Sequence, residues 1–180
     1  TVFIVDPIDG TRAFIAGSAD WSHSLAIVEK GRITAAAVYL PIKDLMFTAQ
    51  LSNGSFLKDK HIQVSEPKNV EGACILSNKA SIREEFWPCG LPAFKRSFRS
   101  SLAYRLGLGA EGAFDGMITL RPTWEWDVAA GALIVAEAGG IVTTQTGAQA
   151  KFNTGNAQLS GLVATTPFIH PALMSGLTKT

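Results

Sequence analysis

Cysteine is scarce in this 180-residue chain, which holds only Cys74 and Cys89. Their positions match neither metal-ligand nor redox spacing, which excludes a thiolate cluster and a multi-disulfide scaffold. A reduced cytosolic pair is expected, with a single Cys74–Cys89 bridge as the other reading. Histidine is nearly as rare: His23, His61 and His170 are scattered and fit no metal-ligand pattern. An excess of either charge is missing too, since 16 basic and 15 acidic residues leave a net charge of +1. That balance gives no electrostatic case for a nucleic acid polymer or an anionic membrane as partner. No apolar run approaches the ~18 residues needed to cross a bilayer, so no membrane span is expected. Nor does a charged stretch precede an apolar one in the secretory manner, and a cytoplasmic location is expected. The chain opens inside a strand-like run, as though a preceding segment is missing. What remains is 47% hydrophobic and 17% charged, the balance of a globular protein with one substantial core.

Apolar and β-branched residues from Val2 to Val5 predict a buried strand closed by Asp6-Pro7. Ser22 to Lys58 reads as an antiparallel meander, with Lys30-Gly31 and Asn53-Gly54 as hairpin turns and Pro41 as a break. Glu66 to Gly72 is polar and loop-like. Strands are expected over Ala73–Ser77, Phe114–Leu120, Gly140–Thr144 and Ser160–Thr166. Ser81–Phe86 reads as a short helix stopped by Pro88. Ser100–Gly112 carries Leu102, Leu106 and Ala110 at helical spacing, with serines to cap its start. Asp127 is the expected N-cap of an Ala-rich helix that runs to Ala138 and stops at Gly139-Gly140. A last helix begins near Pro167. No repeat, low-complexity tract or linker interrupts the chain, so the class is α+β or layered α/β.

The chemistry concentrates at Asp6-Pro7-Ile8-Asp9-Gly10-Thr11. A strand delivers Asp6 to its end, and Pro7 stiffens the turn that follows. Asp9 is then placed to present its carboxylate toward the same point. Gly10 and Thr11 would open a helix whose free backbone N–H groups suit an anion. Two hard oxygen ligands beside a phosphate cradle suit Mg²⁺. The alternative is an ordinary helix cap that binds nothing. Asp127, at the head of "WDVAAG", offers a third carboxylate, with small residues behind it that allow close helix approach; taken alone, an aspartate there is more often a cap than a ligand.

"DPIDGT" and "WDVAAG" in this order, roughly 120 residues apart, resemble the magnesium-dependent, lithium-sensitive phosphatases of the inositol monophosphatase superfamily. The likeness runs through essentially the whole chain. "GTRAFI", "YLPIKDLMFTA", "IQVS" and "RPTWEWDVAAG" resemble most the 3′(2′),5′-bisphosphate nucleotidase branch. The resemblance implies a layered α-β-α-β-α sandwich lacking its N-terminal helices and first strands. Residues 1–180 would then be the C-terminal portion of a single phosphatase domain. It implies that Asp6 bridges two of two or three Mg²⁺ ions, that the Ile8 carbonyl ligates the first, and that Asp9 and Asp127 ligate the second. Gly10 and Thr11 would hold the phosphate, and the Thr11 hydroxyl would orient or deprotonate the attacking water. Paired ions about 4 Å apart lower the pKa of such a water and neutralise the leaving oxygen. Li⁺ and Ca²⁺ are expected to inhibit, and a homodimer is expected.

Family members carry a glutamate pair upstream of this segment that this chain does not contain. The 180 residues alone are therefore expected to be weakly active or inactive and to expose apolar surface. The inositol branch has a glutamate ahead of its metal aspartate where this chain reads Leu120-Arg121-Pro122. The nucleotidase branch has a Gly-Ser-Ser/Ala-Leu-Lys pattern where this chain has Arg99 and Ala103 at the glycine and lysine positions. Ser100 and Ser101 are candidates to face a ribose or phosphate, and Arg99 and Arg121 to hold a second phosphate bidentately. Glu125 is a further candidate for substrate contact, with plain solvation as the alternative. Trp126 is expected to pack under the site. The expected substrate is a small phosphorylated metabolite, first 3′-phosphoadenosine 5′-phosphate hydrolysed to AMP, then inositol phosphate, histidinol phosphate or a sugar bisphosphate. A metal- or phosphate-binding module without catalysis is the reading from another class.

Overall fold

The computed structural model describes residues 1–177. Six antiparallel strands form a first sheet in chain order: β1 (Val2–Asp9), β2 (Ser22–Glu29), β3 (Arg32–Leu40), β4 (Leu45–Gln50), β5 (Ser55–Leu57) and β6 (Lys60–Ile62). Their alternating patterns bury Ala26, Val28, Ala36, Val38 and Phe47 on one face, as period-two side chains on a half-covered sheet must. The hairpin at Lys30-Gly31 forms with both residues at positive φ, 49° and 78°, the geometry that matches the twist of the strands it joins. The meander runs past Lys58 to Ile62. The opposite face leaves Phe3 61% and Val5 53% exposed.

The remaining strands are β7 (Cys74–Ser77), β8 (Lys95–Ser97), β9 (Gly116–Thr119), β10 (Thr123–Trp124), β11 (Ile141–Thr143), β12 (Gln158–Leu159) and β13 (Leu162–Thr165). Five of them make a mixed sheet in the order β11-β13-β9-β7-β8, with β7 parallel to both neighbours, while β10 and β12 pair as a short ribbon. After the short α1 (Thr11–Ile15), the helices are α2 (Leu102–Ala110), α3 (Glu125–Glu137) and α4 (His170–Gly176). Helices α2 and α3 lie between the two sheets. Their residues join Phe47 and Val38 of the meander to Leu76, Met117 and Leu162 of the mixed sheet in one core. Helix α4 covers the far face of the mixed sheet through Leu173, which packs with Ile75, Ile118 and Val163.

Both central helices are apolar nearly all round, the mark of a helix buried on all sides. They approach closely because Gly131 of α3 faces Leu106 of α2, where any Cβ would collide with the leucine side chain. Two polar clamps fix the loops around them. Glu137 accepts the backbone N–H groups of Ser52 and Gly54 at 2.9 and 3.0 Å, which holds the β4–β5 turn on the end of α3. Asp115 accepts Ser65 Oγ and the Cys74 N–H, both at 2.6 Å.

Four local expectations are corrected. Ser81–Phe86 is two 3₁₀ turns, Ala80–Ile82 and Glu84–Phe86, and the Trp87 indole donating to the Ser81 carbonyl pins them. Helix α3 begins at Glu125, two residues before Asp127, with Trp124 at its N-cap and no side-chain cap. The last helix starts at His170, not near Pro167, with Pro171 in its first turn. Strand β1 runs beyond Val5 to Asp9 through a register shift.

Candidate metal and phosphate site

That register shift answers why two aspartates three apart serve one point. On a regular strand, residues i and i+3 face opposite sides. Here Asp6 pairs with Ser24 and Asp9 with Ser22, so β1 spends one residue more than β2 over the interval. An extra residue of this kind re-aims side chains, as bulges do near active sites. Asp6 Oδ1 accepts the Ile8 N–H at 2.9 Å, and the Thr11 hydroxyl donates to the Ile8 carbonyl at 3.0 Å. Gly10 then turns the chain at φ 87°, and a Cβ there would sit 3.1 Å from the Asp20 carbonyl and 3.2 Å from the Ser101 nitrogen. Only glycine meets both demands.

Asp127 enters from the first turn of α3. One oxygen from each of Asp6, Asp9 and Asp127 lies within 4.8 Å of the others. Asp9 is the most confined, 5% exposed. Its Oδ2 accepts the Ser101 hydroxyl and, at 2.7 Å, the Ala103 N–H. Ser101 also contacts the Ser22 hydroxyl at 3.0 Å and caps α2 by accepting the Tyr104 N–H at 2.9 Å. Burial pushes the Asp9 carboxyl up to about 6, with the Asp6 charge adding to the rise and the Ser101 and Ala103 hydrogen bonds opposing it. Burial, then the charges of Asp9 and Asp6, push Asp127 up to about 7. Crowded, desolvated carboxylates of this kind call for cationic charge.

The sign of the pH dependence follows. With folded pKa values above the ordinary 3.8, these groups favour the cation-free fold at low pH and penalise it as pH rises through 6 and 7. A divalent cation needs both deprotonated, so its affinity rises over the same interval. Thermal unfolding with and without Mg²⁺ is expected to show a clear increase in Tm at pH 8 and little at pH 5.5. Equal increases at the two values would contradict the three-carboxylate site.

A cleft of 560 Å³ opens beside the aspartates, lined by Asp9, Gly10, Thr11, Arg12, Asn78, Phe98, Ser100, Arg105, Arg121 and Asp127. Thr11, Ser100 and Arg121 are thus placed at the cleft as the sequence predicts. Three other expected substrate contacts are not. Ser101 is fully buried and spends its hydroxyl on Asp9 and α2. Glu125 is 3% exposed, and its carboxylate accepts the Asn153 and Thr154 N–H groups and the Thr154 hydroxyl. It clamps the loop before β12 and draws the start of α3 back from Asp127. Arg99 donates to the Phe98 carbonyl and lies over the Phe114 ring, outside the cleft lining. Trp126 is half-buried and stacks on Trp124, with centroids 4.7 Å apart, while its carbonyl accepts the Ser24 hydroxyl at 3.2 Å and ties α3 to β2.

Sequence reasoning passed over two residues that shape the site. Ser22 buttresses Ser101, and nothing in its local pattern marks it. Arg105 lines the cleft from α2; its signal is a lone charge inside the otherwise uncharged run "LAYRLGLGA".

Comparison with known proteins places these features. The profile of the inositol monophosphatase family matches residues 1–179. Nus factor SuhB of Salmonella typhimurium is 33% identical over 189 residues, covering 97% of this chain and 66% of that protein. The structure of extragenic suppressor protein suhB from Bartonella henselae superposes with a TM-score of 0.83 at 30% identity, covering 97% of this chain and 71% of that one. The Thermotoga maritima IMPase gives a TM-score of 0.83 at 28% identity, covering 96% and 66%. The chain spans 60% to 66% of the length of such curated relatives. These relatives bear the SuhB and IMPase names, and they lend no support to the nucleotidase branch that the motifs suggested. With the profile covering nearly every residue and the aspartates of both signatures meeting at one cleft, the chain belongs to the inositol monophosphatase family.

Proposed function

We propose that the protein is a Mg²⁺-dependent phosphatase that hydrolyses a phosphomonoester of a small metabolite, with this chain supplying its metal- and phosphate-binding centre. One observation carries the reading: three carboxylate oxygens within 4.8 Å of one another beside a cleft with a basic wall. The donor set fits the ion, since it is all hard oxygen, anionic and partly desolvated. Asp6, Asp9 and Asp127 would hold paired Mg²⁺ ions, with the Ile8 carbonyl beside them. When bound, the ions supply Lewis-acid neutralisation and a more acidic water.

The protein's own groups do the rest. Ser101 and the Ala103 N–H fix the orientation of Asp9. The Thr11 hydroxyl, held by the Ile8 carbonyl, stands where it orients an attacking water. The N–H groups of Gly10 and Thr11 receive phosphate oxygens, and Arg12 and Arg121 at the cleft draw the anion in. The first substrate in this reading is 3′-phosphoadenosine 5′-phosphate, with AMP as product; inositol 1-phosphate and histidinol phosphate are the alternatives. The SuhB and IMPase names of the relatives favour the inositol phosphate as runner-up. Among the described residues no helix is long and apolar enough to cross a membrane.

The test is phosphate release by the full-length gene product from the three substrates with Mg²⁺. Turnover of one or more is expected. Ca²⁺, larger and tolerant of irregular coordination, is expected to occupy the site without supporting turnover, and Li⁺ to inhibit. Release from none of the three, alongside intact Mg²⁺ binding, would instead identify a binding module without catalysis.

A further inference from the structure

A second cavity, of about 200 Å³, borders the far half of α3 and shares no lining residue with the cleft beside the aspartates. Its wall at Leu133 stands roughly 9 Å along the helix axis from Asp127. Ile33 of β3, Leu51 just after β4, Val142 of β11 and Phe152 complete the apolar walls. The side next to β11 is tied by backbone hydrogen bonds. Thr143 bridges to Gln149, and the Thr144 and Gly147 N–H groups donate to the Ala148 and Thr144 carbonyls at 2.9 and 3.0 Å. Backbone held in this way keeps the space open ahead of any ligand, as small-molecule sites are usually pre-formed. Packed interiors tolerate few voids larger than a water. An apolar cavity of about 150 Å³ is already large enough to accept benzene.

The rim carries a second signal. Arg32 is exposed, and it is the only charged residue in the lining. Among the described residues it has no ion pair, and Glu29, opposite it in the hairpin, forms none with it. An arginine stem lies readily along apolar surface while its head stays in water, and the guanidinium is a planar fork that matches a carboxylate. We propose that this cavity is a binding site for a small amphipathic carboxylate, with a ring or a chain of about six carbons in the apolar space and the carboxylate on Arg32. A monoanion fits better than a dianionic phosphate, because one cation at an open rim offsets a single charge and leaves the other to be desolvated against apolar walls. The site is independent of the phosphatase reading, since no group of the aspartate cleft takes part in it.

The test titrates the full-length gene product, labelled at its Ile, Leu and Val methyl groups and free of Mg²⁺, with benzoate, benzyl alcohol and acetate. Benzoate is expected to shift the Ile33, Leu51, Leu133 and Val142 methyl signals saturably, with a Kd on the order of 1 mM for so small a ligand. Benzyl alcohol keeps the ring but lacks the charge, and is expected to bind about 10-fold more weakly. Acetate, which has no apolar tail, should leave these methyls unmoved. Arg32→Gln should remove the advantage of benzoate and leave benzyl alcohol unchanged. Ala136→Phe, at an exposed lining position, should fill the cavity and abolish the binding of both. Equal affinities for benzoate and benzyl alcohol, or no saturable shift, would overturn the proposal. Shifts confined to Leu102, which lines the aspartate cleft, would overturn it too, because they would place benzoate on the phosphate cradle.

Discussion

Replacing Asp127 with asparagine is expected to lower Mg²⁺-dependent phosphate release by about 10²–10⁴-fold, the equivalent of several kcal/mol of Lewis-acid stabilisation at 1.36 kcal/mol per decade. The amide keeps the size of the side chain and its place in the first turn of α3 but removes the charge that faces Asp6 and Asp9. The same change is expected to move the metal-free protein the other way. Asp127 sits at about 7 because burial and two neighbouring carboxylates oppose its charge, so above that pH the ionised form works against the fold. At pH 8, Asp127→Asn should therefore raise the Tm without metal while abolishing the rise that Mg²⁺ brings. Opposite signs in the two measurements separate a ligand from a helix cap, whose loss would lower the Tm in both. Turnover within a few-fold of the parent would remove Asp127 from the site.

Phe47→Ala is expected to cost about 3–5 kcal/mol of stability, the range for a large aromatic deleted from a packed core. Phe47 is fully buried on the inner face of β4. Its ring lies against α2 where Gly107 leaves room; a Cβ at Gly107 would stand 2.9 Å from the ring. No small shift of the helix fills the space, because Leu106 next to it is already locked against Gly131. Urea unfolding checks this through a lower midpoint at unchanged slope. A loss below ~1 kcal/mol would mean that the core closes around the gap.

The parts that announced themselves in the sequence share a cause: each is decided by neighbours in the chain. Lys30-Gly31 specifies a hairpin through backbone angles alone. Alternation in β2 and β3 reports one covered face, and the Ala-rich run ending at Gly139-Gly140 reports a helix and its stop. The three aspartates were legible because two short segments carry them, each with its own turn chemistry. What was missed depends on distant partners. The start of α3 is set by Asn153 and Thr154 holding Glu125, so a residue that looks free to meet substrate is a clamp. Ser101 looks ready for a ligand until the fold folds it beneath Asp9. Strand β8 is polar, Lys95-Arg96-Ser97, because it lies at a sheet edge and pairs on one side only; apolar patterning has nothing to report there. The bulge between Asp6 and Asp9 exists only against the register of β2.

The long chain separation between the β1 aspartates and Asp127 has a consequence for biosynthesis. A ribosome working at ~5–20 residues per second needs on the order of ten seconds to travel from one to the other. During that wait the first hairpins, built from close neighbours in the chain, have ample time to pair, while no cation meets more than a fragment of its cage. In the proposed reading, the full set of carboxylates that would hold Mg²⁺ therefore exists only once α3 has emerged and docked.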